Sequence, residues 1–328
     1  MKRRKFIKIA ASGAVTASLP ISLQGNALAG KSDKWGELLP LNKFGNTGKM
    51  VTMMGVGGFH VGRMTDAEAQ KTIETAIDGG IRFFDAAESY VGGENERKYG
   101  RLLTPKYREE IFLLSKTKAR DGKTAQEHLD GSLSRMKTDY LDLWLMHQVD
   151  SKEDFDKILE NGMLDVFIKA KESGKVKHIG FSGHKRPEAN IYVFEQTKDL
   201  MEANMLPINL LDPGYNSFIN NVVPLLVKKK AGIIAMKTLA GGAFWGGGFE
   251  GNRDLQERVI DKISVKEAIH FALSMPNDVL VTGAKDANML QEKIDLAKSF
   301  VKLKEEDQEM LMNKVAELAG NTVEYYKA

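Results

Sequence analysis

From about residue 50 onward the chain alternates between two patterns of apolar and polar positions. Short apolar runs that suit buried strands occur at 51–56, 81–86, 111–117, 140–147, 176–182, 203–211, 232–237 and 279–282. Between and after them lie segments that read as helices, near 66–78, 94–103, 124–136, 153–173, 187–200, 219–230, 264–274 and 286–298. In "TDAEAQKTIETAIDGG", Ala67, Ile73, Ala76 and Ile77 share one face, Asp66 is placed to cap the start, and Gly79-Gly80 supply the stop. Eight strand-then-helix units in ~250 residues, with no linker between them, predict one α/β domain, a single (β/α)8 TIM barrel. A doubly wound open sheet is the competing architecture. It carries a glycine fingerprint after its first strand, and "GVGGFHVG" (55–62) does not fit G-x-G-x-x-G.

A barrel of this kind presents its functional groups at the C-terminal ends of the strands. Those ends carry Asp85, Lys116, His147, Ser182 and Lys237. Ionisable groups at the mouths of apolar strands are costly unless paired. Asp85, Lys116 and His147 come from three successive strands and converge on one sector, and Tyr90 reaches it from the loop after the second. Each has an ordinary alternative: an inert ion pair, a satisfied core histidine, a loop aromatic. As a set they describe a chemistry. A phenol with a pKa of ~10 is a poor proton donor at neutral pH. A neighbouring ammonium stabilises the phenolate and lowers that pKa, and a carboxylate keeps the ammonium charged and oriented. With a histidine opposite to hydrogen-bond the reacting oxygen, the four read as a proton relay for carbonyl reduction.

Composition narrows the field. The 328 residues carry a formal charge of +3, but residues 1–29 hold Lys2, Arg3, Arg4, Lys5 and Lys8 and no acid, which leaves −2 on the remainder. No block of like charge points to nucleic acid. With no cysteine there are no disulfides, thiolate metal sites or cysteine-ligated clusters. The six histidines show no metal-binding spacing, so no metal is expected.

The opening "MKRRKFIKIAASGAVTASLPISLQGNALAG" has a basic start, a weakly apolar run and a small-residue Ala27-Leu28-Ala29 site. Arg3-Arg4 followed by Phe6 and Ile7 resembles a twin-arginine export signal. Residues 1–29 then form a cleavable signal peptide, the export machinery is a partner, and 30–328 is the mature barrel in the periplasm. A disordered basic tail is the plainer alternative. Stable membrane insertion is not expected, because a span needs ~20 mostly apolar residues and Ser12, Ser18 and Pro20 dilute this run.

The motifs "GIRFFDAAESY", "FLLSKT", "DYLDLWLMH" and "IGFSG", in this order, resemble the aldo-keto reductase family from about residue 41 to 297. The resemblance implies a catalytic tetrad of Asp85, Tyr90, Lys116 and His147. It also implies a nicotinamide dinucleotide extended across the barrel mouth and hydride transfer to an aldehyde or ketone, or from the alcohol. A barrel that binds the cofactor with little turnover, as a sensor or binding protein, is the alternative of a different class.

The cofactor contacts that the resemblance implies depart from the usual pattern at several positions. The Ser-Asn pair after strand five is Ser182-Gly183 here, followed by His184. The tyrosine that stacks on nicotinamide is Met236, in "IIAMKTL". Asn209 is either the amide-binding residue or a turn asparagine before Asp212-Pro213-Gly214. Lys237, Leu239 and Gly241 fall under the pyrophosphate, and "AGGAFWGGGFEGN" (240–252) is either a covering loop or merely flexible. Phe244, Trp245 and Phe249 are candidates for an apolar wall. In "TGAKDANMLQEKI", Gly283 and Ala284 offer amides near a helix start, and Lys285 approaches a 2′-phosphate. The arginine often found four residues later is Met289, so NADP(H) over NAD(H) is a lean. The segment 302–328 reads as an amphipathic helix, packed through Met310, Leu311, Val315 and Leu318, and a short polar tail.

Overall fold

A computed structural model describes residues 30–198, 200–247 and 257–328. The segment expected to be an export signal, with Arg3 and Arg4, and the later part of the 240–252 loop, with Phe249, lie outside the described residues. Eight strands form the barrel: β1 (Met54–Gly57), β2 (Phe83–Asp85), β3 (Phe112–Thr117), β4 (Leu141–Met146), β5 (Val176–Ser182), β6 (Ala203–Pro207), β7 (Gly232–Met236) and β8 (Val279–Thr282). Each pairs in parallel with its neighbour in sequence, and β8 pairs with β1, so the sheet closes without an edge. The expected (β/α)8 barrel is what forms.

Alternation along the strands divides the chain's apolar residues into two layers. Inward positions such as Phe83, Phe112, Leu114, Leu143, Leu145, Met205 and Ile234 fill the barrel. Outward positions pack on the helices, as where Trp144 stacks on Phe167 with ring centroids 3.8 Å apart. Phe44 closes the barrel floor from a hairpin of Leu41–Lys43 and Met50–Thr52, and lies edge-on to Phe112 at 5.3 Å. Gly232 is bare because a Cβ there would meet the Phe44 ring at 2.6 Å. The carboxylate of Asp278 fixes the hairpin, accepting the amides of Gly45 and Ile233 at 3.0 Å each.

The structure corrects several local expectations. The run 51–56 is divided between the floor hairpin and β1. The cap of Asp66–Asp78 is Thr65 rather than Asp66: Thr65 and Glu68 form a reciprocal capping box, with the Thr65 amide 2.8 Å from the Glu68 carboxylate. The helix expected over 153–173 is two, Lys152–Glu160 and Met163–Glu172, because Gly162 enters the left-handed region at φ 70. Pro224 lacks the amide to continue a helix, and 219–230 accordingly splits into Phe218–Asn221 and Val223–Lys229. In the last helix, Glu305–Val315, Leu311 and Val315 are buried but Met310 is 51% exposed. The tail beyond is not a solvated polar segment: Val323, Glu324, Tyr326 and Lys327 are all buried. No helix among the described residues is long and apolar enough to cross a membrane.

Candidate active site

The inward alternation that fills the barrel also builds the site. One step above Phe83 on β2 comes Asp85; above Leu114 on β3 comes Lys116; above Leu145 on β4 comes His147. The polar groups are therefore the top layer of the same inward-facing series. Gly58, just past β1, lets the chain pass close to this layer, since a Cβ there would collide with the carbonyl oxygen of Asp85.

Lys116 Nζ lies 2.5 Å from Asp85 Oδ1, 2.7 Å from the carbonyl oxygen of Ala86 and 3.0 Å from Tyr90 Oη. Asp85 and Lys116 are buried. Tyr90 is partly exposed to the cavity, its ring edge-on to His147 at 5.6 Å and to Phe59 at 5.6 Å. Ser89 Oγ is 3.4 Å from His147 Nδ1. The structure thus brings Asp85, Tyr90, Lys116 and His147 together.

The electrostatics differ from expectation in one respect. Lys116 does favour the phenolate of Tyr90, but burial and the charge of Asp85 outweigh it and hold the phenol above its ordinary pKa of 10.0. Tyr90 is therefore protonated at neutral pH. Burial works against the Lys116 ammonium, but Asp85 and Tyr90 hold its pKa up, so it stays charged. Burial, and then Lys116, keep His147 well below 6.5 and neutral. For Asp85, burial raises the pKa against the pull of Lys116.

These residues line one cavity of about 650 Å³ at the barrel mouth, within the ~300–1,000 Å³ typical of small-molecule sites. Ser182, Met236 and Lys237 line it near the tetrad, and Leu239 and Gly241 line it along the loop after β7. Gly283, Ala284 and Lys285 line it beyond β8. Trp245 also lines it, whereas Phe244 is buried in the neighbouring core. Ser182 Oγ accepts the amide of Gln148 at 3.0 Å.

Two expected contacts do not line the cavity. Gly183 is pressed by Asn190, whose side chain fills the space of a Cβ. Asn209 takes the turn role instead: Oδ1 accepts the amides of Leu211 (2.8 Å) and Asp212 (3.1 Å), while Nδ2 donates to Tyr326 Oη (2.8 Å). His184 does reach the cavity. Its Nδ1 lies 3.0 Å from the carbonyl oxygen of Tyr326, which fixes the proton there, and Nε2 accepts from the Gln148 side-chain Nε2 at 3.1 Å. Burial, and then Lys237, pull its pKa down to about 4, so it is neutral.

Further lining residues carry little sequence signal. His60 follows β1, Thr238 follows β7, Lys293 sits on a helix face, and Tyr325 and Tyr326 come from the tail. Lys293 had one legible sign: it falls three residues after Leu290 and one before Ile294, on the buried face of Ala287–Lys298.

The residues present fit an elongated anionic cofactor. Among the described residues the only acid lining the cavity is Asp85, committed to Lys116, against five lysines: Lys116, Lys118, Lys237, Lys285 and Lys293. Thr238 Oγ1 is buried without a hydrogen-bond partner. Among the described residues no group of three or more His, Asp and Glu is placed to hold a metal.

Comparison with known proteins agrees with this geometry. An uncharacterized oxidoreductase of Bacillus subtilis, YrpG, is 27% identical over 270 residues, 75% of this chain and 80% of that one. The holo form of an aldo-keto reductase from Bacillus halodurans superposes with a TM-score of 0.70, at 19% identity over 88% of this chain and all of the other. An aldo-keto reductase from Klebsiella pneumoniae, solved in complex with NADPH, gives a TM-score of 0.65, at 20% identity over 82% of this chain and 93% of that one. At these identities the two structures speak for the fold alone. The model of the "Aldo/keto reductase family" matches residues 53–316, most of the chain and all eight barrel strands, and the chain therefore belongs to this family of oxidoreductases.

Proposed function

We propose that the chain reduces an aldehyde or ketone with a nicotinamide cofactor, and oxidises the alcohol in reverse, with Tyr90 as general acid and base. The observation that carries this reading is Lys116 Nζ, placed 3.0 Å from Tyr90 Oη and 2.5 Å from Asp85 Oδ1 in the cavity wall. The bound dinucleotide supplies or accepts the hydride. Tyr90, held protonated, gives its proton to the substrate oxygen as negative charge develops there. Lys116 stabilises the phenolate that remains, and Asp85 keeps Lys116 charged and aimed. Neutral His147 is the second hydrogen-bonding group for that oxygen. The test is loss of nicotinamide absorbance on adding a panel of aldehydes and quinones to purified protein. Absence of turnover across the panel, with the cofactor bound, points instead to a binding protein.

NADP(H) is the proposed cofactor over NAD(H), supported by Lys285, exposed on the cavity rim where a 2′-phosphate would lie. The charge and Ala-Leu-Ala ending of residues 1–29 support twin-arginine export and work in the periplasm. That route carries folded proteins, which suits a barrel that leaves the cytoplasm with its dinucleotide held and recycles it in place. Tyr325 Oη, donating to the carbonyl oxygen of Gly241 at 2.9 Å, supports such retention by tying the loop after β7 to the tail. Changing Arg3 and Arg4 to lysine strands the precursor in the cytoplasm on this reading. Periplasmic protein, once denatured, releases nucleotide. Unchanged export, or protein that emerges empty, contradicts the respective part.

A further inference from the structure

Of the five lysines lining the cavity, Lys116 belongs to the proton relay, and Lys237, Lys285 and Lys293 follow β7 and β8, on the side read as the dinucleotide's. Lys118 is the fifth and has no part in either. It continues the inward-facing series of β3 one step past Lys116, after Phe112 and Leu114. At ~3.3 Å per residue, its Cα stands about 7 Å further along the strand than that of Lys116. Its backbone amide donates to Glu88 Oε1 at 2.7 Å, but its Nζ pairs with no carboxylate among the described residues. The residue is exposed and lines the cavity. Its charge reaches the relay: burial and Lys116, and then Lys118, hold His147 below 6.5.

The neighbouring wall is polar without adding charge. Gln148, directly after His147, is held at φ 57, in the left-handed region that a side chain of its size rarely adopts. Two contacts fix it there: its backbone amide donates to Ser182 Oγ at 3.0 Å, and its carbonyl oxygen accepts from Arg120 at 2.8 Å. Its side-chain Nε2 donates one N–H to His184 Nε2 at 3.1 Å, which leaves the second N–H for a ligand. His184 is neutral and Arg120 is paired with Asp154, so Lys118 supplies the charge of this wall. The cavity residues Phe59 and Trp245, from the loops after β1 and β7, are apolar. The space beside Tyr90 thus combines apolar surface with one cation and one amide donor from the loops after β3 and β4.

We infer that the substrate is an oxo acid, an aldehyde or ketone that also carries a carboxylate, and that Lys118 Nζ and Gln148 Nε2 donate to this carboxylate while Tyr90 and His147 hold the carbonyl oxygen. The inference rests on the reductase reading above. A carboxylate offers two oxygens, one to the ammonium and one to the amide N–H, and it leaves no charge unpaired in the wall. A cationic substrate would meet the ammonium instead, with Asp85, the only acid lining the cavity among the described residues, already committed to Lys116. The offset along β3 separates the two ends of the substrate, the carbonyl at the level of Lys116 and the carboxylate one layer above. Lys118 is on this reading a specificity residue with no part in proton transfer.

The experiment measures kcat/KM, with NADPH saturating, for meta- and para-formylbenzoate, each against the matching formylbenzamide, in wild type, Lys118→Met, Lys118→Glu and Lys118→Arg. Lys118 is exposed, so these variants are expected to fold, and melting curves verify it. Wild type is expected to favour at least one acid over its amide. Lys118→Met lowers that ratio about 5- to 30-fold, through KM, the size of a partly solvated charge-assisted hydrogen bond. Lys118→Glu lowers it further, Lys118→Arg keeps most of it, and about 0.5 M salt shrinks it in wild type. A ratio that Lys118→Met leaves unchanged overturns the assignment, and so does a loss of NADPH affinity in that variant, which makes Lys118 a cofactor ligand. Calorimetry with the corresponding hydroxymethylbenzoates and hydroxymethylbenzamides, on protein loaded with NADP+, separates this failure from that of the reductase reading. Acid bound in preference to amide through Lys118, by a protein that turns over no aldehyde, keeps the anion subsite and overturns the reductase reading. Turnover of acid and amide alike, indifferent to Lys118, does the reverse.

Discussion

Lys327 Nζ lies 2.6 Å from Asp212 Oδ1, and both side chains are fully buried. Glu324 Oε1 approaches the same ammonium at 2.8 Å, and Lys327 also donates to the carbonyl oxygen of Tyr215 at 2.7 Å. Asp212 further accepts Ser217 Oγ and the amides of Phe218 and Ile219. A residue near the end of the sequence is thus anchored to the segment leaving β6. Between anchor and helix, Tyr325 and Tyr326 are set into the cavity wall, and the tail becomes part of the site.

Removing the cation should therefore be expensive. Lys327→Met leaves Asp212 and Glu324 as buried carboxylates without a counter-charge, a loss of about 3–5 kcal/mol in comparable buried pairs. Denaturant unfolding of the variant against wild type measures it. A loss below about 1 kcal/mol, the range of exposed pairs, contradicts the burial described.

The barrel floor gives a pH signature. Burial raises Asp278 to about 6, although it accepts the amides of Ile233 and Gly45. Its folded pKa exceeds the ordinary aspartate value of 3.8, so between these values the folded state holds a proton that the unfolded chain has lost. Asp278 then subtracts stability as pH rises from about 4 to about 6, by about 3 kcal/mol in all. Asp278→Asn keeps an oxygen for both amides and removes the titration. Its melting temperature should gain on wild type across that window and hold the gain above it. A difference independent of pH contradicts this.

Much of this was legible in the chain. The fold follows from short apolar runs alternating with amphipathic helical runs, and the tetrad from ionisable residues at the C-terminal ends of those apolar runs. What the sequence does not reveal is non-local. Nothing around Lys327 announces a partner 115 residues away at Asp212. A tail rich in polar residues reads as solvated until its contacts are known. Thr238 looks like any strand-end threonine, and its missing partner is a property of the packed site alone. Asn209 fits two roles in sequence, and the turn amides of Leu211 and Asp212, with Tyr326 brought in from the tail, settle its geometry. The direction of the Tyr90 shift is not legible in sequence, because burial enters at full weight only once the barrel closes.

The pH dependence of alcohol oxidation follows from that direction. In the proposed mechanism oxidation needs the Tyr90 phenolate, whose pKa is held above 10.0 chiefly by burial and Asp85. The rate should climb with pH without levelling off below the ordinary tyrosine range. His147, already neutral, should add no inflection near 6.5. A plateau reached by pH 8 contradicts the electrostatics of the site.

The most direct test of the relay isolates the chemical step. Protein loaded with NADPH is mixed rapidly with its best aldehyde substrate, and the single-turnover loss of nicotinamide fluorescence is compared between wild type and Tyr90→Phe. A fall of about 10²- to 10⁴-fold in that rate is expected, the usual size of a general-acid contribution, with NADPH affinity nearly unchanged. Hydride transfer by Tyr90→Phe at close to the wild-type rate contradicts it.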